Sequence, residues 1–169
     1  TGAGSGIVAE KLSRRFGSLL AVADLDLTVA TGEVFGFLGP NGAGKTTVVR
    51  MLCGLLAPTS GRAVVAGFDV ARETRRLKES IGYMSQKFGL YADLTVRENI
   101  EFFGGVYLRD RREAARRCEE VLDEMGLASR ATQLAGQLSG GWKQRLAMAT
   151  AIVHRPAMLF LDEPTAGVD

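Results

Sequence analysis

Gly39-Pro40-Asn41-Gly42-Ala43-Gly44-Lys45-Thr46-Thr47 follows directly on the apolar run Val34 to Leu38. It reads G-x-x-x-x-G-K-T between a strand-like and a helix-like run, the context in which that motif forms a phosphate-binding loop. Successive backbone N–H groups of such a loop turn onto phosphate oxygens, and the helix that follows adds its positive N-terminal end. Gly39, Gly42 and Gly44 suit a chain that turns through unusual dihedrals and meets an anion with no side chain between. Pro40, Asn41 and Ala43 complete the backbone cradle. Lys45 is placed to reach the β- and γ-phosphates as a point charge, Thr46 to offer its hydroxyl to Mg2+, and Thr47 to donate to a further phosphate.

Outward from the loop, Ile7 to Leu12, Leu25 to Val29, Val34 to Leu38, Ala63 to Ala66 and Ile81 to Met84 read as strands, with turns at Thr31-Gly32-Glu33 and Pro58-Thr59-Ser60-Gly61. Lys45 to Leu55 reads as a helix ended near Gly54. Thr1 to Gly6 is small and flexible, as a linker is. The period then changes. Thr95-Val96-Arg97-Glu98 is a capping box ahead of Val96, Ile100 and Phe103, and Ala114, Cys118, Val121, Leu122 and Met125 line one face of a helix stopped by Gly126. Ser139 can cap a third helix that ends by Pro156, so residues 90–153 make a largely helical segment. Met158 to Leu161, four apolar residues in a row, reads as a strand of a parallel sheet buried on both faces.

The 169 residues are 46% hydrophobic and 24% charged, close to globular averages and enough for one substantial domain. Net charge is +2 with the two signs mixed, so no basic stripe points to nucleic acid. Cys53 and Cys118, far apart and inside helical patterns, read as buried reduced thiols. No apolar stretch approaches the roughly 20 residues that span a bilayer, so membrane contact is expected through a partner. Arg109 to Arg117, with Asp110 and Glu113 interspersed, reads as a solvated helix face.

The strand Met158 to Leu161 runs into Asp162-Glu163. Beside a phosphate loop, a strand tip is where an Mg2+-binding Asp is needed, and a neighbouring Glu can orient or deprotonate the attacking water. Between the two motifs lies Leu138-Ser139-Gly140-Gly141-Trp142. The order G-P-N-G-A-G-K-T-T, a lone Gln86 after a strand, L-S-G-G and then L-F-L-D-E-P-T-A-G-V-D resembles the ATP-binding subunit of ABC transporters over essentially the whole chain.

That resemblance implies an α/β P-loop NTPase cassette with a RecA-like core, an antiparallel β subdomain and an α-helical signature subdomain. It assigns Phe16, otherwise readable as a core or rim aromatic, to stacking on adenine, and Gln86 to touching Mg2+ or water while sensing a transmembrane partner. Ser139, Gly140 and Gly141 would bind the γ-phosphate held by an opposite subunit, and a Ser-capped helix start offers the donors and dipole for that. Asp162 would be the metal-associated carboxylate and Glu163 the catalytic base, and Ala166 to Asp169 would cross a dimer interface. The expected cofactors are ATP and Mg2+, and the expected partners a transmembrane permease and a second nucleotide-binding domain, at the cytoplasmic face of the membrane.

This chain departs from the family pattern at Trp142, where Gln is usual. The resemblance also places a switch histidine beyond Asp169, with a central strand between Val34–Leu38 and Met158–Leu161 leading to it, so the chain is expected to be an excerpt in which those two runs do not pair. His154 reads as a helix-end residue near the carbonyl dipole. Met84 to Tyr91, Leu94-Thr95-Val96 and Trp142 are similar to ATPases of ABC-2 type exporters, including drug-resistance systems, and Phe88, Leu90 and Tyr91 would suit capture of a cytoplasmic helix. Other readings are a soluble ABC ATPase acting on ribosomes or DNA, a P-loop kinase, for which L-S-G-G has no use, and a binding-only fragment.

Overall fold

The computed structural model describes residues 5–40, 42–85 and 89–162. They fall into two compact units, residues 1–81 and 82–169. The first is built on a long hairpin, β1 (Ser5–Phe16) and β2 (Leu19–Ala30), with α1 (Lys45–Leu52), β3 (Ser60–Val65), β4 (Phe68–Asp69) and α2 (Thr74–Ser80). Its sheet has the order β2-β1-β3-β4 and is antiparallel throughout.

The hairpin is longer than the alternation of its residues indicates, because bulges interrupt it. Register shifts occur between Ala9 and Leu12 and on to Arg15. Lys11 and Asp24 take φ of 49° and 44° there, and Leu12 and Ser13 are consecutive yet both buried. A bulge turns successive side chains to one face and so erases the period of two. The Ser13 hydroxyl accepts the Asp24 N–H at 2.8 Å, satisfying a donor that the broken ladder leaves over.

On this sheet α1 buries Val48, Val49, Met51 and Leu52. It ends as expected: the Gly54 N–H donates to Met51 O at 3.0 Å and the Leu55 N–H to Arg50 O at 2.9 Å, a Schellman closure around a left-handed glycine.

Val34 to Leu38 does not form the expected strand. Residues 33–40 carry neither helix nor strand, and Val34 and Leu38 are each 98% exposed. A strand exists by its ladder, and this run pairs with none of the described strands. Among the described residues its one ring contact is internal, Phe35 edge-on to Phe37.

The second unit contains β5 (Ile81–Met84), α3 (Val96–Tyr107), α4 (Arg111–Glu124), two short 3-10 turns at Ala128–Arg130 and Ala135–Gln137, α5 (Gly140–Ile152) and β6 (Met158–Leu161). The three helices enclose Val96, Ile100, Cys118, Val121, Leu122, Leu127, Leu146, Ala149 and Val153. The start of α3 is completely accounted for. Val96 N–H donates to Gln133 O at 2.9 Å, Arg97 N–H to Ala131 O at 3.0 Å and Glu98 N–H to Thr95 Oγ1 at 3.2 Å, while Glu98 Oε2 accepts the Thr95 N–H at 2.8 Å. Buried Asn99 adds four bonds to residues 91–95, which pins that segment to the helix. At the end of α4, Gly126 repeats the Schellman closure, with the Leu127 N–H on Leu122 O at 2.7 Å.

Two further expectations are corrected here. Arg117 is not on a solvated face: it is 8% exposed, donates to Val153 O at 3.2 Å and forms ion pairs with Glu120 and Glu124. A guanidinium can be buried when planar acceptors meet it, which charge spacing alone does not reveal. And β6 is not covered on both faces; only Phe160 is buried, Leu159 and Leu161 each being 37% exposed. It pairs with β5 alone among the described strands, in a two-stranded sheet whose β5 side is the buried one.

Candidate functional site

The phosphate loop narrows to Gly44, which is both its last glycine and the N-cap of α1. Gly44 sits at φ 84° and no side chain caps the helix start; its first turn holds no acidic residue. A Cβ here would lie 2.7 Å from the Ala21 carbonyl oxygen and 3.3 Å from Val22 Cγ2, so the position excludes any side chain on contact as well as on conformation. Lys45 folds over the loop, its ammonium donating to Gly39 O at 2.5 Å and Pro40 O at 2.9 Å. Thr46 and Thr47 are half-buried in the first turn. A helix start without a side-chain cap, its dipole and one flexible ammonium form a cradle with the chemistry of an anion site.

Ala21 is the residue bulged out of register in β2, between Val22 opposite Arg14 and Leu20 opposite Arg15. The same hairpin carries Phe16 beside its turn, 44% exposed. Phe16 and the phosphate loop are thus tied through one hairpin, which gives a flat apolar surface and an anion cradle on a common frame. Sequence could propose Phe16 only by resemblance; Arg14, whose guanidinium lies 4.6 Å from the Phe16 ring centroid, was missed because the pairing arises from strand geometry.

In the second unit, Ser139 stands at the N-cap of α5 and is exposed together with Gly140 and Gly141. Its hydroxyl makes no capping bond, unlike Thr95 at α3 and Asp110 at α4. Buried Leu138 anchors the approach. Trp142, in the first turn, has two guanidinium groups over its ring, Arg130 at 4.4 Å and Arg145 at 5.0 Å from the centroid, and packs on the helical core. The departure at this position therefore fills a defined slot and leaves Ser139 and the glycines uncovered.

At the end of β6 the Asp162 N–H donates to Met84 O at 2.9 Å, which brings the C-terminal ends of β5 and β6 together. The Asp162 carboxylate is buried, with Tyr83 Oη at a long 3.5 Å. A buried carboxylate oxygen is a donor of the kind Mg2+ takes. Among the described residues no group of three His, Cys, Asp or Glu gathers to hold a metal. His154 stacks on Tyr107, ring centroids 4.1 Å apart, just beyond the end of α5. Asn41, Gln86, Phe88, Glu163 and Ala166 to Asp169 lie outside the described residues. No helix among the described residues is long and apolar enough to cross a membrane.

The family model described as ABC transporter matches residues 22–166. The chain is 46% identical over 163 residues to the probable multidrug ABC transporter ATP-binding protein YbhF of Escherichia coli (strain K12), covering 96% of this chain and 28% of that protein. It is 40% identical over 161 residues to the linearmycin resistance ATP-binding protein LnrL of Bacillus subtilis (strain 168), covering 95% of this chain and 52% of that protein. The chain thus spans from about a quarter to about half of these relatives. Among solved structures, cbiO1 from Clostridium perfringens, described as part of the ABC transporter complex cbiONQ, superposes with a TM-score of 0.86 at 31% identity, over 98% of this chain and 68% of that one.

Proposed function

Because the chain belongs to the ABC transporter family, we propose that it is the ATP-binding and ATP-hydrolysing motor of an ABC-2 type exporter. The observation that carries this reading is the uncapped start of α1 at left-handed Gly44, with Lys45 above it and the Phe16 hairpin against it. Relatives named for multidrug transport and linearmycin resistance support a drug-like or other small-molecule substrate moved outward.

In this reading the loop N–H groups from Gly39 to Thr47 and the Lys45 ammonium hold the β- and γ-phosphates, and Phe16 stacks on the adenine. Thr46, Gln86 and Asp162 are the residues that would hold Mg2+. The chemistry such an ion would supply is positive charge against the phosphate oxygens. Glu163 orients the attacking water and takes its proton as the bond to the leaving ADP oxygen breaks, giving ADP and inorganic phosphate. Ser139, Gly140 and Gly141 grip the γ-phosphate of the ATP held by an opposite subunit, so two copies close over two nucleotides. Closure drives a transmembrane permease, which keeps the protein at the cytoplasmic face of the membrane.

The reading is tested on the full-length protein with Lys45→Ala. ATP binding is expected to be lost, because a point charge facing two phosphates is removed while the loop's backbone is kept. An ATP affinity within about threefold of the parent, under 1 kcal/mol, would sink it.

A further inference from the structure

Arg14 and Phe16 stand two residues apart on β1, and their side chains meet. The Arg14 guanidinium carbon lies 4.6 Å from the Phe16 ring centroid, within the range where a cation is held by the negative face of a ring. Arg14 Nη1 donates to the carbonyl of Ala57 at 2.7 Å, which fixes the group from a segment outside the hairpin. Its Nε is buried and finds no hydrogen-bond acceptor. A buried N–H without a partner is unfavourable, so the guanidinium is held where ring and carbonyl need it and not where its own polar atoms are best served. Phe16 remains 44% exposed, and since Arg14 covers one face, the surface left is the opposite face and the ring edge.

We propose that Arg14 is a positioning residue for the nucleobase: it holds the Phe16 ring from behind and presents the far face to the adenine of ATP. This rests on the reading of Phe16 as the base platform. Two physical effects follow from the stack. An exposed aromatic side chain that would otherwise rotate is fixed before the base arrives, which removes part of the ordering cost of binding. The cation also draws π density toward itself, so the far face is less negative and repels the π cloud of a purine less. Arg14 further bars the base from its own side of the ring, which sets the side from which the nucleotide meets the hairpin.

The test compares affinities of the full-length protein for ATP and for inorganic tripolyphosphate, which carries the phosphates and no base. Phe16→Ala is expected to weaken ATP about tenfold, the order of one base stack, and to leave tripolyphosphate unchanged. Arg14→Ala is expected to weaken ATP by about a third to a half of that on a logarithmic scale, again without moving tripolyphosphate, and to add nothing once Phe16 is already Ala. If Phe16→Ala leaves the ratio of the two affinities unchanged, the platform reading fails and Arg14 falls with it. If Phe16→Ala shifts the ratio but Arg14→Ala does not, or if Arg14→Ala weakens both ligands equally or acts additively with Phe16→Ala, the platform stands and the role of Arg14 is overturned. Unchanged tripolyphosphate binding also reports that each variant is folded. Should Arg14→Ala not fold, Arg14→Lys carries the same test, since it keeps a cation on the strand and loses the flat stack.

Discussion

Gly44→Ala and Gly42→Ala place the same methyl group on two residues of one loop with nearly the same φ, 84° and 85°. They differ in what that methyl meets. At Gly42 nothing lies within 4 Å, whereas at Gly44 the Ala21 carbonyl oxygen is 2.7 Å away on backbone that cannot swing aside. The left-handed conformation costs a residue with a Cβ roughly 1–2 kcal/mol. Only Gly44→Ala adds a steric conflict, of the order of 1–3 kcal/mol for forcing a methyl into filled space. The strain is felt in any state that needs the loop conformation, and nucleotide binding needs it. At about 1.4 kcal/mol per decade, Gly42→Ala should weaken ATP binding by roughly 5- to 30-fold, and Gly44→Ala by at least a further fivefold or so. Calorimetric or fluorescence titration of ATP into both variants of the full-length protein gives the comparison directly. Equal losses would mean that the packing of Gly44 on the hairpin is not part of the binding-competent state, and the coupling argued from it would fail.

Glu163→Gln in the full-length protein should retain ATP, stop hydrolysis and trap the two-copy assembly, because the amide keeps size and hydrogen bonding but cannot take a proton; rapid turnover would point to another base. Thr95→Ala removes the capping hydroxyl of α3 and should cost about 1 kcal/mol in chemical denaturation, an unchanged midpoint being the contrary result. The Thr95 N–H, then its hydroxyl, hold the Glu98 carboxyl below its ordinary 4.5. A depressed pKa contributes stability above the unfolded value that is lost as pH falls through the folded one, so the Thr95→Ala penalty should shrink on acidification below about 4.5. Burial pushes the Cys118 thiol up to about 11, so it should resist alkylation at pH 8 until the protein unfolds, and prompt native-state labelling would contradict its environment.

What could be read ahead of the structure was chemistry confined to a few neighbouring residues. The Thr95–Glu98 box and the stops at Gly54 and Gly126 are local hydrogen-bond problems with few solutions, and each formed. Val34 to Leu38 shows the opposite case. Apolar residues announce that a strand can form there, but the ladder belongs to partners the run itself does not specify, and here it has none among the described strands. The hairpin was read short because bulges at Lys11 and Asp24 cancel the alternation. Of the candidate site, the loop motif was explicit, while Arg14 behind Phe16, Ala21 beneath Gly44 and the burial of Arg117 depend on contacts across elements that no spacing encodes.

Trp142 is the single tryptophan of the chain, and it carries Arg130 and Arg145 over its ring at the first turn of α5. Indole emission from these 169 residues therefore originates at one spot, two residues from Gly140 and within the second unit. Melting of the second unit opens the guanidinium contacts and wets the ring, which shifts the spectrum to the red, while backbone dichroism follows the secondary structure of both units. Comparing the two optical channels along one denaturation curve would separate the unfolding of the two halves without any label, and a nucleotide added during the measurement would report which half it steadies.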